Sequence, residues 1–168
     1  GLSTFGAIMS ALYARQAAGP HAPGQRIDAS LLETQVSLLA NIGSAYLIAG
    51  EESGRHGTAH PSIVPYQALP TRDGYLVFGA TNNAAFERFC RALGICELLD
   101  DVRFKDNASR VAHREELIPI LEEKFLTYDT QELADVLEGA SVVNSPINSV
   151  AQVFEDAQVI ARDMVQEV

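Results

Sequence analysis

The chain has 168 residues, 47% of them hydrophobic and 20% charged, and a formal net charge of -10. That length buries one good core or two small ones, and the composition excludes a disordered chain. The acidic balance, with no basic cluster to offset it, excludes a nucleic-acid surface, because phosphate neutralisation requires clustered cations.

The first helix is expected over about Leu2–Ala18, where Phe5, Ile8, Met9 and Leu12 recur at helical spacing and Gly19-Pro20 stops the run. Its uncharged start lacks the basic flank of a signal peptide, and Arg15 ends it too early for a membrane span. An uncharged first turn without an initiator Met points to a chain that begins inside a larger protein. Gln25–Ala29 predicts a short strand. Ser30-Leu31-Leu32-Glu33 predicts a capping box opening a second helix that runs to about Ala49. Thr34–Gly50 carries no charge, so that helix is expected to be buried nearly all round.

Residues 51–65 form a polar, glycine-rich linker and loop. A hairpin follows: Ile63–Leu69, a turn at Thr71-Arg72-Asp73-Gly74, and Tyr75–Phe78, with Gly74 expected to supply the positive φ of the reversal. The next helix starts after Asn82-Asn83, turns Phe86, Phe89, Cys90 and Leu93 inward, and ends at Gly94. Asp100–Ala108 reads as an irregular connection. A long amphipathic helix over Arg110–Leu126 is expected to bury Leu117, Ile120, Leu121 and Phe125. Asp129 or Thr130 caps a shorter helix closed by Gly139, and Val142–Ile147 is extended, since Pro146 disfavours helix before it. Ser149 opens a last helical turn before Asp156, and Met164–Val168 predicts a strand. The class is α+β, in two pieces.

Few of these residues assemble into chemistry. His56 and His60 have the spacing of a helical metal pair, but Gly57 and Pro61 deny the helix and no third ligand is near, so no metal site is expected. Ser62, His60 and Asp73 lack the nucleophile elbow of a hydrolase. No phosphate-binding glycine pattern is present. Cys90 and Cys96 are too few for a disulfide framework, which points to a reducing, intracellular compartment, cytoplasmic or mitochondrial matrix. What stands out is the loop His56-Gly57-Thr58-Ala59-His60, imidazoles beside a rigid hairpin, which suits either a substrate contact or a plain polar loop.

The order of residues along the whole chain resembles the class III CoA-transferase family, which includes the α-methylacyl-CoA racemases and carnitine-CoA transferases. The likeness runs through Ala11–Arg15, Gly24–Glu33, Gly57–Gln67, Asp73-Gly74-Tyr75 and Gly79–Phe86. It continues through Asp101–Phe104, Asn107, Arg110, Arg114–Leu117, Val153–Val159 and Arg162–Val165. Gly57–Ala68 and Asp73–Asn83 are most similar to the succinate–hydroxymethylglutarate CoA-transferase type. The resemblance implies a Rossmann-like large domain and a small α/β domain in an interlocked homodimer. Residues 1–50 would be helices of the large domain, 66–147 the small domain, and 148–168 a return segment. It implies an acyl-CoA thioester and a carboxylic acid acceptor as substrates, no bound cofactor, and no nucleic-acid or membrane partner. The family's aspartate nucleophile falls just upstream of Gly1, so no catalytic residue is assigned within the chain. The family's glycine-rich closing loop falls at Gly57–Ser62, making His56, Gly57, Thr58, Ala59 and His60 candidate substrate contacts. The racemase branch has a glutamate where this chain has Asn82-Asn83, which favours a transferase and adds both asparagines to the candidate site, although helix capping accounts for them equally well. Racemase or dehydratase chemistry on acyl-CoA, and a non-catalytic scaffold, are the alternatives.

Overall fold

The computed structural model describes residues 1–166. The chain forms two compact units, Gly1–Gly54 and Arg55–Val168. The first holds three helices, α1 (Leu2–Ala17), α2 (Leu31–Ser37) and α3 (Ala40–Ala49). Ser30 caps α2 by accepting the Glu33 N–H at 3.3 Å, which is one half of the expected capping box.

Two expectations for this unit give way. Gln25–Ala29 is not a strand. The single second helix is split at Leu38-Leu39, with Ala40 at φ 44. The break has a local cause: the Ser37 hydroxyl donates to the Thr34 carbonyl at 2.7 Å and the Thr34 hydroxyl to the Ser30 carbonyl at 3.0 Å, competing with the helix ladder. The uncharged stretch is also not buried. None of α1, α2 or α3 has a buried residue, and Leu47 and Ile48 are more than four-fifths exposed (82% and 87%).

The second unit is built on an antiparallel sheet of order β1-β2-β3, with β1 at Tyr66–Pro70, β2 at Tyr75–Gly79 and β3 at Val143–Pro146. Five helices of this unit precede β3: α4 (Asn83–Leu93), α5 (Glu97–Asp100), α6 (Asn107–Ala112), α7 (Arg114–Phe125) and α8 (Thr130–Gly139). Two short ones follow it, α9 (Val150–Glu155) and α10 (Ala157–Ala161). The expected strand at Met164–Val168 is absent over 164–166, and its last two residues lie outside the described ones.

Helix α4 follows its sequence signals closely. The Asn82 carboxamide accepts the Ala85 N–H at 2.9 Å, and Gly94 closes the helix in the left-handed conformation at φ 65. Its buried face, Phe86, Phe89, Cys90 and Leu93, meets Leu117, Leu121 and Phe125 of α7 and Leu133 and Leu137 of α8 in one core. Burial pushes the Cys90 thiol up to about 12, so it is a small core hydrophobe. The long helix expected from Arg110 is two helices meeting at His113, and Ile120 stays exposed. Asp106 starts α6 inside the stretch expected to be irregular, accepting the Ser109 N–H at 2.8 Å.

The hairpin turn works differently from its sequence reading. Gly74 is not among the residues with positive φ. A side chain there would instead put a Cβ 3.0 Å from the Thr130 hydroxyl, so glycine is needed for close approach. That approach lets Asp73 accept the Thr130 N–H and hydroxyl at 2.8 and 2.7 Å, capping α8 in place of Asp129.

Acid sensitivity follows from these carboxylates. The Thr130 donors hold Asp73 below the usual carboxylate range, and the Ser109 N–H does the same for Asp106. Arg103 holds Asp101 down to about 2. Each group has a lower pKa folded than unfolded, so its stabilisation is full above roughly pH 4 and is lost as the pH falls through the folded values. The urea midpoint of the second unit is expected to drop as the pH falls from about 4 to about 2. An unchanged midpoint would refute the assignment.

Candidate functional site

The loop from His56 to Ser62 is shaped by its own short-range bonds and by the hairpin. Gly57 sits at φ 59, in the left-handed region that favours glycine, and the Ala59 N–H closes a turn on the His56 carbonyl at 2.9 Å. Thr58 accepts the Ala68 N–H of β1 at 3.1 Å, and the His60 N–H donates to the Tyr66 carbonyl at 2.9 Å. The His60 ring stacks on Tyr66, with centroids 5.5 Å apart and planes 10° from parallel. The Ser62 N–H donates to His60 Nδ1 at 3.2 Å. In the neutral ring the proton therefore resides on Nε2, which becomes the donor.

Beyond His60 the chain is gripped by α6 and α7. Asn107 receives the Val64 N–H at 3.1 Å and donates to the Ser62 carbonyl at 2.8 Å. Arg110 Nε donates to the Val64 carbonyl at 2.7 Å. Arg114 Nη2 donates to the carbonyls of His60 at 2.6 Å and Pro61 at 3.0 Å. Arg110 is fully buried, with its guanidinium 4.3 Å above the Phe86 ring centroid. Its other nitrogens reach the Phe104 carbonyl and the Asn83 carboxamide, both at 3.0 Å. Burial lowers the pKa of Arg110 and of Arg114 from the ordinary arginine value.

The structure thus links two of the expected regions. Asn83 is joined through Arg110 to Val64, next to the His60 loop, while Asn82 is engaged in capping α4. Asn83 also borders a polar cleft of about 410 Å³ shared with Arg91, Cys96, Lys105 and Arg110. Among the described residues no cluster of His, Cys, Asp or Glu is arranged to hold a metal ion. No described helix is long and apolar enough to cross a membrane. The residues missed as loop ligands are Asn107, Arg110 and Arg114. Their signal was a polar stripe at i, i+3 and i+7, hidden because arginines in an amphipathic segment ordinarily face water.

A family model for CoA-transferase family III matches residues 1–168. The chain belongs to CoA-transferase family III. It is 44% identical over 167 residues to the succinyl-CoA:glutarate CoA-transferase of Mus musculus, covering 99% of this chain and 38% of that protein. It is 47% identical over 168 residues to an acyl-CoA transferase of Fusarium pseudograminearum, covering all of this chain and 36% of the relative. Among solved structures, a CAIB/BAIF family protein from Brucella suis superposes with a TM-score of 0.79 at 40% identity, covering 98% of this chain and 43% of that one. The chain therefore spans about two fifths of the length of the family members it matches.

Proposed function

We propose that the protein containing this chain transfers CoA between a dicarboxylic acyl-CoA and a carboxylic acid acceptor, with the His60 loop forming one wall of the acyl site. The observation that carries the reading is identity of 44% and 47% over essentially the whole chain to relatives named a succinyl-CoA:glutarate CoA-transferase and an acyl-CoA transferase. In this reading an aspartate outside the chain attacks the thioester carbonyl and expels CoA thiolate, leaving a mixed anhydride. The thiolate then attacks the aspartyl carbonyl, releasing the donor acid and forming an enzyme–CoA thioester. The acceptor carboxylate reverses both steps and leaves as its CoA thioester. His60, with Nδ1 occupied by the Ser62 N–H, presents Nε2–H as a fixed donor to a carboxylate of donor or acceptor, and His56 to Ala59 line the approach. In this reading Asn82 and Asn83 also contact the substrate; neither amide takes up a proton as a carboxylate does, which favours transfer over racemisation.

Residues 1–50 are taken as helices of a Rossmann-like large domain, 51–65 as linker and loop, 66–147 as the small domain and 148–168 as the return segment of an interlocked homodimer. The mass of the full-length protein after acyl-CoA and hydroxylamine tests the chemistry. A modified aspartate supports transfer, α-proton exchange without modification supports a racemase, and the absence of both supports a scaffold. His60→Ala is expected to raise the acceptor KM by about tenfold, the loss of one charge-assisted hydrogen bond. Unchanged transfer kinetics would remove His60 from the site.

A further inference from the structure

We infer that Asn107, Arg110 and Arg114 are positioning residues that lock His60–Val64 into a fixed wall, so that this segment does not open and close as a lid. Three side chains at i, i+3 and i+7 address four of the five residues of the segment, all but Ile63: the carbonyls of His60, Pro61, Ser62 and Val64, plus the Val64 N–H. Pro61 and Pro65 lack an N–H, so the segment has little means of holding itself in a backbone ladder.

Arg26, Arg72, Arg91 and Arg103 each pair with a carboxylate. Arg88 also donates to backbone carbonyls, those of Ala140 and Ser141, but it is exposed, whereas Arg110 is buried and Arg114 half-buried. Arg110 and Arg114 have no carboxylate partner among the described residues; they spend their charge on carbonyls and one carboxamide. Arg114 even leaves Nη1 buried without a hydrogen-bond partner. Desolvating two cations in this way opposes stability, and an apolar pair would fill the space without that penalty. Their gain is the backbone geometry they impose on the segment that carries His60, since a guanidinium fork fixes carbonyls in direction as well as distance. The kinetic part of this inference rests on the transferase reading, whereas the structural part does not.

Hydrogen exchange of the full-length protein, resolved to peptides spanning residues 57–65 and β2, tests it in Asn107→Ala and, independently, Arg114→Gln. Exchange in the segment should accelerate at least about tenfold while β2 keeps its wild-type protection. The acceptor KM should rise more than kcat falls, with Arg114→Lys recovering part of both effects. Wild-type exchange in the segment of either variant overturns the inference, as does equal acceleration in segment and β2. Fast exchange with unaltered kinetics also overturns the positioning role. If the unsubstituted protein transfers no CoA, the transferase reading fails, and the exchange pattern alone decides whether the clamp exists.

Discussion

Truncating Phe89 to alanine is expected to destabilise the second unit by about 3–5 kcal/mol, read as a fall in the urea midpoint at unchanged slope. Phe89 is 0% exposed and sits where three elements meet. Its ring lies 5.1 Å from Phe78 of β2, 6.3 Å from Phe86 on its own helix and 6.2 Å from Phe125 of α7. Removing it loses the transfer free energy of a whole aromatic ring and leaves a hole, because its neighbours belong to a sheet and two helices that cannot all move inward. A small domain has only about 5–15 kcal/mol in total, so this one change takes a large share of it. Phe154→Ala is the control: at 56% exposure it should stay within about 0.5 kcal/mol. A Phe89→Ala loss below about 1 kcal/mol would show that the core collapses around the gap.

The second large effect belongs to Arg110. Two terms compete there: the desolvated charge disfavours the native state, and the bonds to Val64, Phe104 and Asn83 favour it. Arg110→Ala relieves the first term but strands the buried Val64 and Phe104 carbonyls, takes a partner from the exposed Asn83 carboxamide and opens a cavity under Phe86. Stranded acceptors cost about 1–3 kcal/mol each when water cannot replace the donor, so the second term wins and a net loss of about 3 kcal/mol or more is expected. Arg110→Lys keeps the charge without the planar fork, so it should recover less than half of that loss. If Arg110→Ala were neutral in denaturant unfolding, water would have to reach the site and the guanidinium would be dispensable for the fold.

The two units differ in how much of them could be read in advance, and the difference is physical. Helix α4 was legible to within one residue because its signals are local: Asn82-Asn83 at the start, aromatic spacing along one face, Gly94 at the end. The hairpin was legible in place, but its first strand begins at Tyr66 rather than Ile63 and Gly74 serves close approach rather than a positive φ. The split at Leu38-Leu39 was not legible, because an uncharged run reads as one continuous helix while the side-chain bonds of Thr34 and Ser37 act within it. The His60 loop was legible as a place but not as a geometry. What fixes it comes from residues 43 to 54 positions further along the chain, and no local pattern encodes which carbonyl an arginine will find.

The contact between Asp73 and Thr130 has a further consequence. A turn at the tip of a hairpin is ordinarily where a chain tolerates an inserted loop, a permuted terminus or a fused tag. Here the same carboxylate supplies the first turn of a helix 57 residues later. Lengthening the tip would move Asp73 off Thr130 and leave the α8 N–H groups without their acceptor. Exposed as it is, this reversal behaves as an internal joint, and permissive sites in the second unit should be sought elsewhere.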